Sequence, residues 1–90
     1  MVNIIDKINR HGEITEPKEF TLPDSPFFLC VVPKAVDDLE MPIMSAKLIK
    51  EKEYSDCPFP ANCWSPMLVD RLNVIQDYLD KYRLFWGTTD

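Results

Sequence analysis

Three cysteines, one histidine and a scatter of carboxylates are the residues of this chain able to do chemistry, and their spacing limits what that chemistry is. Cys57 and Cys63 stand six apart in the stretch Asp-Cys-Pro-Phe-Pro-Ala-Asn-Cys-Trp-Ser. A disulfide between them would close a short loop and contribute on the order of 2 kcal/mol. Two reduced thiols packed beside Phe59 and Trp64 are the plainer expectation. With Cys30 and His11 they would supply four zinc-ligand types, but no compact zinc module has this spacing. Cys30, moreover, sits in the most apolar segment of the chain. Cys57 and Cys63 are thus weak metal candidates, and neither metal nor cofactor is expected.

His11 has no nucleophile in a recognisable context near it, and its expected role is to bond the last carbonyls of a short helix. Asp37, Asp38 and Glu40 lack the spaced aspartates, glycine and closing glutamate of a calcium loop, so a solvated acidic turn accounts for them. Only two glycines, Gly12 and Gly87, are present, too few for a phosphate-cradling loop. These residues point away from an enzyme.

A chain of 90 residues closes one core, so residues 1–90 are read as a single domain. Its 46% hydrophobic and 28% charged content fits a folded protein. The net charge of −5 disfavours direct binding to nucleic acid, because phosphate contacts need clustered cations. Here Lys47, Lys50 and Lys52 are interleaved with Glu51 and Glu53. No membrane span is expected, since the longest apolar run, residues 27–32, is far below the ~20 residues a crossing helix requires. The first residues carry no basic region followed by a long apolar one, and an odd number of cysteines suits a reducing compartment. The expectation is a cytoplasmic protein, or one assembled into an intracellularly made particle.

The elements expected to position these groups make an α+β fold. Residues 1–12 hold a short helix, with Asn3 as cap, Ile4, Ile5 and Ile8 on one side and Gly12 as a left-handed stop. Residues 13–54 form a two- or three-stranded, mostly antiparallel sheet. Ile14, Phe20 and Leu22 mark an extended edge segment broken at Pro17. Residues 27–32, bounded by Pro26 and Pro33, make a strand apolar on both faces, which is either central or lies beneath a subunit interface. A helical turn is expected within residues 34–40. Residues 43–54 read as a strand, with Met44, Ala46 and Leu48 on one face; a helix is the alternative. Residues 55–65 form a proline- and aromatic-rich loop that joins no ladder, because Pro58 and Pro60 remove donors.

Residues 66–86 read as one long amphipathic helix packed across the sheet. Ser65 and Pro66 suit its start, and Leu68, Leu72, Ile75, Leu79 and Tyr82 recur at steps of three and four. Met67, Val74, Tyr78 and Phe85 flank that stripe and widen the apolar arc to roughly 160°, against the roughly 100° of an ordinary surface helix. Asp70, Asn73, Asp77 and Asp80 hold the opposite side. An alternative ends the helix near Lys81 and makes residues 82–86 a last strand. Residues 87–90 are a polar tail.

Excess apolar surface implies a partner. The expected function is a non-enzymatic protein-interaction subunit or adaptor, such as a phage-type or accessory assembly component, docking another protein chain in a homo- or hetero-oligomer. Its expected contacts are Phe59, Trp64, Met67, Val74, Tyr78, Phe85 and Trp86, because aromatics and Met concentrate at interface centres. One competing class is an acidic inhibitor that blocks a basic or nucleic-acid-binding target, although Asp70, Asp77 and Asp80 form only a thin acidic face. The other is a thiol- or metal-dependent protein using Cys57 and Cys63.

Overall fold

The computed structural model describes residues 8, 10–23, 26–35 and 41–89. They form strands β1 (Arg10–Ile14), β2 (Glu19–Phe20), β3 (Phe28–Pro33), β4 (Ile43–Leu48), β5 (Ser55–Pro58) and β6 (Val69–Asn73), then helix α1 (Gln76–Lys81) and strand β7 (Tyr82–Thr88). Two antiparallel sheets result, a three-stranded one in the order β1-β7-β3 and a four-stranded one in the order β2-β6-β4-β5.

Alternation, not the helical period, governs the C-terminal third. Strands make up 51% of the described residues and helix 8%, so the α+β class and the long helix over 66–86 are corrected to a mostly β fold. The stripe at three-and-four spacing is divided among three elements: Leu72 is fully buried from β6, whereas Ile75 is 43% exposed. Val69, Val74, Tyr82, Phe85 and Trp86 are β-branched or aromatic and pack better on a pleated surface than on a helix. The helix ends at Lys81 and a last strand follows, as in the alternative reading. Ser65 is buried and caps a local turn instead, its Oγ accepting the Met67 N–H at 3.2 Å.

Other segments differ from expectation for equally local reasons. The proposed N-terminal helix falls mostly outside the described residues, and where it is described, Arg10, His11 and Gly12 belong to β1. Gly12 is not in the left-handed region. It is needed for close approach: a Cβ there would stand 2.7 Å from Trp86 Nε1. His11 is exposed on β1 instead of closing a helix. The acidic residues Asp37, Asp38 and Glu40 lie outside the described residues. The 55–65 loop is more ordered than expected, since Cys57 pairs with Met44 and Pro58 with Ile43. Pro58 is tolerated at the end of an edge strand, the place a residue without an N–H can occupy. The tail is shorter than expected as well, because Gly87 and Thr88 complete β7. Thr88 is 2% exposed, and its Oγ1 accepts a hydrogen bond from Arg10 Nε at 3.3 Å.

The core lies between the sheets. Leu29 and Val31 of β3 and Ile14 and Leu84 of β1 and β7 form one cluster with Met44, Ala46, Cys57, Val69 and Leu72 of the second sheet and with Phe27, Phe59 and Val74. Each large apolar side chain buried this way contributes about 1.5–3 kcal/mol. Phe27 joins the two sheets: its N–H donates to Val69 O at 2.9 Å and its carbonyl accepts the Val69 N–H at 2.8 Å. Phe20 meets the Phe27 ring edge-on at 5.1 Å. Among the described residues no helix is long and apolar enough to cross a membrane.

Candidate functional site

β3 turns Leu29 and Val31 into the core, and the two-residue period of a strand therefore sends Phe28, Cys30 and Val32 to the opposite face. β7 behaves alike: Leu84 is buried and Trp86 packs on the core, leaving Arg83, Phe85 and Gly87 outward. Register then assembles one surface. Phe28 stands opposite Gly87, Cys30 opposite Phe85 and Val32 opposite Arg83.

The 59–65 segment completes this surface by running along the open edge of β3. Asn62 N–H donates to Val31 O at 2.7 Å and Ser65 N–H to Leu29 O at 2.8 Å, and Trp64 forms an antiparallel bridge with Cys30. Trp64 is thus carried onto the outer face, where its ring tip lies over Gly87; a Cβ on Gly87 would stand 2.8 Å from Trp64 Cη2 and 3.0 Å from Ile8. Phe85, Cys30 and Trp64 form a row across the sheet, flanked by Phe28 and Val32. All five are half-buried, and none belongs to the interior cluster or packs directly on it.

One side of this apolar strip is charged. Arg83 donates to both Glu13 carboxylate oxygens, at 3.2 and 3.3 Å, and its guanidinium carbon lies 5.2 Å from the centre of the Phe85 ring. The hydrogen bond to Glu13, and then the carboxylate charge, raises the Arg83 pKa further. The cation stays charged at any working pH.

The expected docking residues are distributed unevenly. Phe59 is fully buried and Val74 is 2% exposed, so neither can touch a partner of the folded chain. Met67, Tyr78 and Trp86 are half-buried against the core. Tyr78 serves the fold, because its hydroxyl accepts the Ser45 N–H at 3.0 Å, just past the point where the β4–β6 ladder stops. Trp64 and Phe85 alone among the seven lie on the outer face of the three-stranded sheet. Phe28, Cys30 and Val32 complete their patch; the signal for them is the uninterrupted apolar run at 27–32, which requires cover on both faces.

Nothing comparable is found elsewhere among the described residues. Met41 and Ile43 are the most exposed large apolar side chains, but the next positions on their face are Ser45 and its cross-strand neighbour Asp56. A cleft of about 340 Å³ beside α1 is lined by Glu13, Lys34, Gln76, Asp80 and Arg83 among others. Its groups are engaged internally: Glu13 binds Arg83, Gln76 binds Asp80, and Lys34 Nζ donates to Leu79 O at 2.7 Å. No buried side-chain nitrogen or oxygen among the described residues lacks a partner. No group of three or more metal-ligating side chains is found among them.

Cys57 and Cys63 are not a pair. Cys57 is buried in β5, its Sγ within 3.9 Å of Ala46 O and 3.6 Å of Ser55 O, while Cys63 is exposed and both thiols are free. No protein-family model, curated protein or solved structure matches the chain.

Proposed function

We propose that this chain is a non-enzymatic interaction module that binds another protein on the outer face of the β1-β7-β3 sheet. The observation that carries the reading is the row Phe85–Cys30–Trp64, aligned in register between Phe28 and Val32 on a face that the chain's own core does not use. Aromatic side chains at the centre of a patch, with charge at its margin, match the anatomy of protein interfaces. Arg83 and Glu13 supply that margin.

The size of the face sets the kind of association. Three strands about 4.8 Å apart and six residues long cover roughly 300 Å². A standard interface takes about 800 Å² from each partner. The partner therefore also contacts the 59–65 segment or the Arg83 margin, or the complex is transient. The acidic-inhibitor alternative has less support, because Asp70 is engaged by Lys47 and Arg71, and Asp77 by Lys81.

The test is association measured alongside folding. The wild-type chain should capture defined partner chains from its native source, or self-associate by sedimentation. Phe85→Glu should lose that association while melting within a few degrees of wild type. Capture of the same chains by Phe85→Glu, or a wild-type chain that neither captures nor self-associates, overturns the reading.

A further inference from the structure

Two cysteines that the sequence does not pair are carried to neighbouring backbone positions at the edge of β3. The backbone bonds from Asn62 to Val31 and from Ser65 to Leu29 clamp residues 62–65 across the three-residue stretch centred on Cys30. The bond from Ser65 to Leu29 makes Cys30 and Trp64 a closely spaced, non-hydrogen-bonded antiparallel pair. Such pairs hold their Cα atoms about 4.5 Å apart. One further Cα step of about 3.8 Å, taken roughly across that line, puts Cys63 at roughly 6 Å from Cys30. Disulfides span about 4.4–6.8 Å between Cα atoms.

Direction matters as much as distance. In a regular strand Cys63 would point opposite to Trp64, into the core beside Val31. Asn62 breaks that alternation with a left-handed backbone, φ 62°, and Cys63 is exposed rather than buried. Cys30 faces outward and is half-buried. Burial first, and then the charge of Cys63, pushes the Cys30 thiol up in pKa.

We propose that Cys63 and Cys30 form a thiol–disulfide exchange site for a small disulfide of the glutathione class. Cys63, the accessible thiol, attacks as thiolate one sulfur of glutathione disulfide; the glutathione S–S bond breaks and one glutathione thiolate leaves and is protonated. Cys30 then loses its proton and attacks the Cys63 sulfur of the mixed disulfide, releasing the second glutathione. Two cysteine thiols are oxidised to one disulfide, and one glutathione disulfide is reduced to two thiols. Cys57, in β5 and enclosed, takes no part.

Intact mass and peptide mapping of the folded chain incubated with glutathione disulfide test this directly. The expected product is the wild-type chain lighter by two hydrogens, with the peptides containing Cys30 and Cys63 linked. Cys57→Ser should give the same product. Cys30→Ser, and Cys30→Ala as a check on packing, should stop at one glutathione on Cys63, and Cys63→Ser should not react at Cys30. Closure in the wild type should accelerate as pH rises toward the elevated Cys30 pKa, because only the thiolate attacks. A wild-type chain that keeps glutathione on Cys63, links Cys63 to Cys57 or to a second chain, or does not react overturns the assignment.

Discussion

The two outward faces of the sandwich are built on opposite principles. The four-stranded sheet shows the solvent a web of charge: Lys47 Nζ meets Asp70 at 2.8 Å, Arg71 meets Glu19 at 3.3 Å, and the Tyr54 hydroxyl donates to Glu19 at 2.6 Å. The outer face of the three-stranded sheet carries the half-buried Phe28, Cys30, Val32, Phe85 and Trp64 instead. A sheet in a small domain normally hides one face and solvates the other. Here one sheet obeys that rule and the other breaks it, which makes the second the surface to examine for function.

The inner layer gives the scale against which both faces are judged. Phe59→Ala removes a fully buried ring from between the sheets and should cost about 3–5 kcal/mol in urea unfolding. A loss below ~1 kcal/mol would mean that the two sheets do not share this core. Next in size, Phe85→Glu on the apolar face should weaken association by at least ~30-fold, equivalent to about 2 kcal/mol, with stability nearly unchanged.

Gly87→Ala probes the same face more gently. Its methyl would push against the Trp64 ring tip and Ile8, so Trp64 should shift its fluorescence and stability should fall by about 1 kcal/mol. On the charged face the effects shrink. A double-mutant cycle on Lys47 and Asp70 should return about 0.2–1 kcal/mol that fades with added salt, and neither variant should alter association.

The smallest effect is a titration. Burial, then the hydrogen bond to Glu19 and that residue's charge, pushes the Tyr54 phenol up to about 12. The folded chain therefore holds this proton more tightly than the unfolded one, and the resulting stabilisation is complete below pH ~10 and lost as pH rises toward 12. Ultraviolet titration should show one late phenolate transition that Tyr54→Phe removes. Glu19→Gln should lower it, because that residue supplies both a hydrogen bond and a charge to the phenol.

Strands with a one-sided or uninterrupted pattern are legible in the sequence. Residues 27–32 have no polar interruption and proline at both ends, and β3 lies there. Met44 and Ala46 alternate with Ser45 and Lys47, and β4 buries the first two. The C-terminal third misleads because Leu68, Leu72, Ile75, Leu79 and Tyr82 satisfy a helical period by coincidence, while the strand signal lies in the β-branched and aromatic types around them. The site is half legible. Trp64 and Phe85 can be named from type alone, but which side of a strand each residue faces depends on register, and register is a property of the partner strand. The neighbourhood of Cys30 and Cys63 is hidden for the same reason, since two hydrogen bonds bring together residues far apart in the chain.

Sealing the margin of β3 with residues 61–65 also governs what happens when the molecule is denatured. The segment Phe-Phe-Leu-Cys-Val-Val is uncharged, rich in aromatic and branched side chains and free of proline, the composition of a fibril-forming hexamer. In the native state its margin is occupied and no second molecule can add a strand there. Heat strips that protection away. Denatured molecules should then precipitate faster than they refold, and the apparent melting temperature should climb with scan rate.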